Sequence, residues 1–232
     1  MKSFVLFCLL MVVCNAQRFP PTNILQQATK AIQNAKSSVD DIMSEMKRTR
    51  NSLATTADNQ MYNYWSQSAT TIINLKDSRI KDINEKQAQA SGKDAQDCLN
   101  KVKSNVMTTS TTGMNDLDRC KNTAKQQFQN VLQAFDTAMA TGQKLKSDLD
   151  RVALECYTSD VFQMANCIFA KVGLANINIR EYKQQVAQME RQAESNKNAI
   201  VLQQSSCNNE AVSKAREGFT TAIYDAANCL KN

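Results

Sequence analysis

Six cysteines, Cys98, Cys120, Cys156, Cys167, Cys207 and Cys229, follow one another at intervals of 22, 36, 11, 40 and 22 residues. The series reads nearly the same from either end, which is the signature of a chain folded back on itself. Pairing Cys98 with Cys229 and Cys120 with Cys207 gives two pairs whose residue numbers add to the same total, the condition for antiparallel helices in constant register. Cys156 with Cys167 then closes the tip, its total falling slightly short, as expected beside a turn. In a helix, 22 residues make about six turns and return to nearly the same face some 33 Å further on. A bridge from Cys98 to Cys120 would therefore require that helix to break, because bridged Cα atoms lie within about 7 Å of each other.

The residues between the cysteines agree with two facing helices. From Cys98, helical steps pass Val102, Val106, Thr109, Gly113 and Leu117 to Cys120, and from Cys207 they pass Ala211, Ala215, Gly218, Ala222 and Ala226 to Cys229. No charge interrupts either row. Past Cys120 the row continues through Ala124, Phe128, Val131, Phe135, Ala138, Gly142, Leu145, Leu149 and Val152 to Cys156. The weak point is residues 108–113, five hydroxyl side chains and a glycine, all poor helix formers. A break there would allow Cys98 to pair with Cys120 and Cys207 with Cys229, and the same segments would then form a more compact bundle of five or six helices.

The N-terminal third carries a heptad row, Leu25, Ala28, Ile32, Ala35, Val39, Ile42, Met46, Thr49 and Leu53, after Pro20 and Pro21. Its phase blurs at 55–60, where a kink is expected, before Trp65, Ala69 and Ile72 resume it and a second row takes up Ile73, Ile80, Ile83 and Ala90. Ser91 and Gly92 end the segment and Asp94 is a candidate cap for the next. No proline follows Pro21 and the chain has five glycines, so turn-rich β folds are excluded in favour of helix. The fold class expected is all-α, an elongated antiparallel bundle of about three long helices with a disulfide-stapled hairpin. Its organisation is 1–16 as signal peptide, 17–91 as the N-terminal helix and 92–232 as the stapled hairpin.

Residues 1–16 place Lys2 before a short apolar run and end in Cys14, Asn15 and Ala16, the order of parts in a cleaved secretory signal. Cys8 and Cys14 leave with it, and an even number of cysteines in an oxidising route points to three disulfides. No later stretch has the ~20 apolar residues that a membrane span needs. The net charge of +6 is spread along the chain, with Lys47, Arg48 and Arg50 as the nearest approach to a basic cluster, so nucleic acid is not an expected partner.

The chain contains no histidine, which removes His-based general base catalysis, Ser-His and Cys-His nucleophiles and His metal ligation. With no two of the six cysteines closer than 11 residues, no metal site is expected either, nor any cofactor. Acidic pairs such as Asp40 with Asp41, Asp116 with Asp118, Asp148 with Asp150 and Glu190 with Glu194 are read as surface charge on helix faces near Lys and Arg. No phosphate-cradling loop or nucleophile elbow is present. The one aromatic cluster, Tyr62, Tyr64 and Trp65, is the candidate partner contact, with Trp65 and one tyrosine expected inside. Tyr157, Phe162 and Phe169 are expected to form a small apolar plug around the tip bridge.

The six cysteine positions, together with the alanine-rich ending at 222–229, resemble those of the insect secreted TsetseEP domain family over roughly residues 90–230. The resemblance implies delivery outside the cell, into gut or secretory tissue, and supplies no catalytic residue. The Glu-Pro repeat tail of the founding member is absent. The expected function is thus a non-enzymatic, extracellular structural or interaction component whose partner is a protein, a glycan or a matrix. The alternative is a secreted carrier of lipid or another apolar ligand, since amphipathic helices can lay their apolar faces on a particle.

Overall fold

The computed structural model describes residues 21–231, so the expected signal peptide at 1–16 lies outside the described residues. The chain is all-α. Three long helices account for it: α1 is Pro21–Gln89, α2 is Lys93–Glu155 and α3 is Val161–Asn228. Two compact units draw on all three helices, the first from residues 21–50 and Gln133–Arg191, the second from Asn51–Leu132 and residues 192–231.

In the first unit the buried residues are Ala28, Ile32, Ala35, Val39, Ile42 and Met46 on α1, Phe135, Leu149 and Val152 on α2, and Ala165, Ile168, Val172, Ile179, Tyr182 and Val186 on α3. Ion pairs of α1 with α2, Lys36 with Asp150, Asp40 with Lys146 and Arg50 with Asp136, step in opposite directions along the two helices and fix them as antiparallel. Gly142 is where three elements meet: a Cβ there would lie 2.5 Å from Met43 Sδ and 2.7 Å from Tyr182 Oη. The phenol of Tyr182 donates to the Ala138 carbonyl at 2.9 Å, and burial raises its pKa above the ordinary tyrosine value. Asp160 caps α3, its Oδ1 accepting from the backbone N–H of Phe162 and Gln163. Cys156–Cys167 closes the turn with 5.6 Å between Cα atoms. Across the same turn the Lys171 ammonium donates to Glu155 and holds its carboxyl below the ordinary value.

In the second unit Cys98–Cys229 and Cys120–Cys207 join α2 to α3 with Cα atoms 5.7 and 5.8 Å apart. The pairing is therefore the nested one, and the Cys98 with Cys120 alternative does not occur. Both inter-cysteine rows are buried or half-buried from end to end. Residues 108–113 are helical throughout, where a break had been a possible outcome of their low propensity. Packing explains it. A Cβ on Gly218 would stand 2.7 Å from Thr109 Cγ2, and one on Gly113 3.0 Å from Ile72 Cδ1 and 3.2 Å from the Ala215 Cβ. The glycines are contact points of adjacent helices, and burial against them outweighs a propensity deficit of a few tenths of a kcal/mol per residue.

Residues 55–60 are likewise continuous helix, and Ala57 and Met61 carry the buried row from Leu53 towards Ile72. Asp94 is inside the first turn of α2 rather than at its cap, where its charge suits the helix N-terminus. The exposed end of α1 is closed by Gln96, whose side-chain amide donates to the carbonyls of Gln87 and Ala90.

Candidate functional site

Residues 59–75 of α1 form the longest uncharged stretch of the first helix, bracketed by Asp58 and Lys76. Asp58 is drawn to Lys125 of α2 at 3.8 Å and Lys76 pairs with Asp77. Between them the inner face buries Met61, Ala69 and Ile72. The outer face shows Tyr62, Asn63, Tyr64, Gln67, Thr70, Ile73 and Asn74 to solvent.

Trp65 stands at the edge of this face, half-buried against the core of the second unit. Its ring is 5.9 Å from that of Tyr62 at a tilt of 32°, within the centroid separation at which aromatic pairs interact. Above it lies Lys121 of α2, the ammonium 4.2 Å from the ring centroid and 3.2 Å from Asp118. The cation fixes one face of the indole, a contact worth about 0.5–1 kcal/mol at an exposed site. Tyr62 is 59% exposed and Tyr64 36%, so neither tyrosine is inside, contrary to expectation. The reason is phase: in the helical row the inward places fall to Met61 and Trp65, and the tyrosines flank them.

A polar layer backs the cluster. The Gln204 side-chain amide of α3 donates to the Met61 carbonyl at 2.9 Å across 143 residues. Ile72 and Ala215, both against Gly113, share that offset, so α1 and α3 run parallel here. The same offset sets Asn208 level with Trp65. Gln204 and Asn208 are 2% and 1% exposed, and Gln204 Oε1, both amide atoms of Asn208 and Trp65 Nε1 are buried with no protein hydrogen bond. Lys197, two steps back on the same row beyond Val201, is also buried and donates to Glu194 at 2.6 Å. Sequence reasoning missed this polar row. Stepping back by threes and fours from Cys207 would have found it, since Gln204, Val201, Lys197 and Ala193 lie on one face.

Asp40, Asp116, Asp118 and Asp148 each pair with a lysine or arginine, as surface charge does. Glu190 departs from the reading, half-buried with one carboxylate oxygen enclosed, because its place on α3 is in the inward row between Val186 and Ala193. At the tip, Tyr157 is 78% exposed and Phe162 40%. Phe169 is half-buried, so the three rings form no enclosed plug; the buried residues in the neighbouring turns of helix are Val152, Ala165 and Ile168.

Among the described residues no group of three His, Cys, Asp or Glu side chains is placed to hold a metal ion, and no helix is long and apolar enough to cross a membrane. Compared with known proteins, the sequence matches no family model, no curated protein and no solved structure.

Proposed function

We propose that this protein is a secreted, non-enzymatic helical scaffold that presents the uncharged aromatic face of α1 to an extracellular partner, a protein, glycan or matrix component. The observation that carries the reading is the set of three bridges, two between α2 and α3 and one that closes the turn joining them, since disulfides persist in oxidising compartments. Apart from Lys121 of α2, whose ammonium lies over Trp65, the rings are flanked by hydroxyls and carboxamides, which suits a neutral partner, and Tyr and Trp are the residues most often found to anchor such contacts. The cysteine positions also underlie the proposed likeness to the TsetseEP domain family and hence to delivery outside the cell.

The test is binding of the oxidised protein to arrayed neutral oligosaccharides and matrix proteins, with Tyr62→Ala and Trp65→Ala beside it. Binding that weakens about tenfold or more in either variant while helicity is kept supports the reading. Absence of binding, or a hydrolase activity that disappears with one named carboxylate, defeats it.

One observation favours the carrier of an apolar ligand as second reading: no disulfide reaches α1. That helix is held by noncovalent contacts alone, packing, ion pairs and the Gln204 hydrogen bond, and is the one free to expose its apolar row. Co-sedimentation with phosphatidylcholine vesicles at low salt, reduced by a new disulfide between α1 and α2, distinguishes the two readings.

A further inference from the structure

Residues 55–74 of α1, all in the second unit, combine three properties that each lower the cost of unwinding them. The first is local. Thr55, Thr56, Asn59, Asn63, Thr70 and Thr71 are β-branched or short polar residues of weak helix propensity. With no charge from 59 to 75, the stretch also lacks the i,i+4 ion pairs that support helices, such as Glu210 with Lys214 on α3. The second is covalent. Cys98–Cys229 and Cys120–Cys207 tie α2 to α3 in this unit, and neither reaches α1.

The third is the polar layer on α3 at the level of this stretch. Gln204 and Asn208 are 2% and 1% exposed. Both amide atoms of Asn208, Gln204 Oε1 and Trp65 Nε1 are enclosed without a hydrogen bond. In water each of these atoms is hydrogen-bonded, so packing α1 over α3 forfeits those bonds and unwinding it restores them. Against this stand the Gln204 bond to the Met61 carbonyl, the Lys121 ammonium over Trp65 and the burial of Met61, Ala69 and Ile72. Further along, α1 is held better: Ile83 is fully buried, Lys103 donates to Asn84, and Gln96 closes the turn on the carbonyls of Gln87 and Ala90.

We propose that residues 55–74 are a strap that opens by local unwinding while the bridged α2–α3 pair of the second unit stays folded, and that the Gln204 and Asn208 layer sets how readily it opens. Local opening of this kind is drawn from the least stable parts of a fold. It takes Trp65, Ala69 and Ile72 out of the apolar cluster that they share with Val106, Leu117 and Ala211, and so uncovers the inner row of the bridged pair. A carrier of an apolar ligand needs such an opening, but the inference does not rest on that reading. Its test contains no lipid, so the strap and vesicle binding stand or fall separately.

Hydrogen–deuterium exchange of the oxidised full chain, read by mass spectrometry after quenching with a reductant, gives protection factors over 55–74, 99–117 and 211–226. Protection over 55–74 is expected to be lower than over the other two segments by about tenfold or more. Asn208→Leu, close in volume and without the unpartnered amide, is expected to raise protection over 55–74 by about tenfold. Gln204→Met, which removes the enclosed oxygen of the same layer, is expected to act in the same direction and replaces Asn208→Leu if that variant loses the far-ultraviolet circular dichroism of the parent. Equal protection over the three segments overturns the proposal. So does a weakly protected 55–74 that neither substitution changes, since the opening would then owe nothing to the polar layer.

Discussion

At the scale of single residues, glycine placement separates packing from propensity. Gly142 and Gly173 are both inside long helices, yet a Cβ would collide with Met43 and Tyr182 at the first and meet open space at the second. Gly142→Val is expected to destabilise the protein by about 1–3 kcal/mol through overpacking, while Gly173→Ala stabilises it by about 0.5–1 kcal/mol; denaturant unfolding measures both. Tyr182 gives a pH signature. Its pKa is raised by burial, so the folded state keeps the phenol proton more firmly than the unfolded chain does. Its contribution is complete below the ordinary tyrosine value near 10 and is lost as pH rises through the higher folded value. Tyr182→Phe is expected to cost about 1 kcal/mol at neutral pH for the hydrogen bond to Ala138 and to flatten the alkaline fall in stability. An unchanged slope above pH 10 would remove Tyr182 as its cause.

At the scale of elements, α2 and α3 carry their apolar rows differently. The α2 row is legible from Cys98 to Cys156 because each inward place holds an apolar, small or hydroxyl residue. The α3 row is legible at both ends but is interrupted by Glu190, Lys197, Gln204 and Asn208, whose inward direction depends on the exact phase of the helix rather than on residue type. Buried amides with unpartnered atoms cost stability, so Gln204→Met, close in volume, is expected to stabilise the second unit by about 1 kcal/mol. The gain should appear as a higher unfolding midpoint with an unchanged denaturant slope. A fall in the midpoint would mean that the bond to the Met61 carbonyl contributes more than the enclosed oxygen costs. The aromatic cluster was legible as a cluster, but its division between inside and outside was not, since one 100° step decides which of Met61, Tyr62, Tyr64 and Trp65 turns inward.

At the scale of the whole molecule, the bridges set how stability responds to redox conditions. Cys98–Cys229 and Cys120–Cys207 span 131 and 87 residues, and closing loops of that length restricts the unfolded chain strongly. Replacing Cys120 and Cys207 together by serine is expected to lower stability by about 2–4 kcal/mol, read by thermal unfolding, with helicity at low temperature kept. Loss of helicity instead would mean that the second unit depends on that bridge to fold at all. The sequence by itself determined the all-α class and the approximate bounds of the three helices, because 3-4 periodicity and the lack of proline are properties of one strand of chain, and its cysteine spacing favoured the nested pairing without deciding it. Only the tertiary structure decided that residues 55–60 and 108–113 remain helical, that α3 buries a polar row and that both tyrosines beside Trp65 face outward. Those outcomes turn on what a neighbouring helix places opposite each side chain: Ile72 and Ala215 against Gly113, Thr109 against Gly218, the Met61 carbonyl against Gln204. Local propensity differences of a few tenths of a kcal/mol are smaller than the burial such neighbours provide.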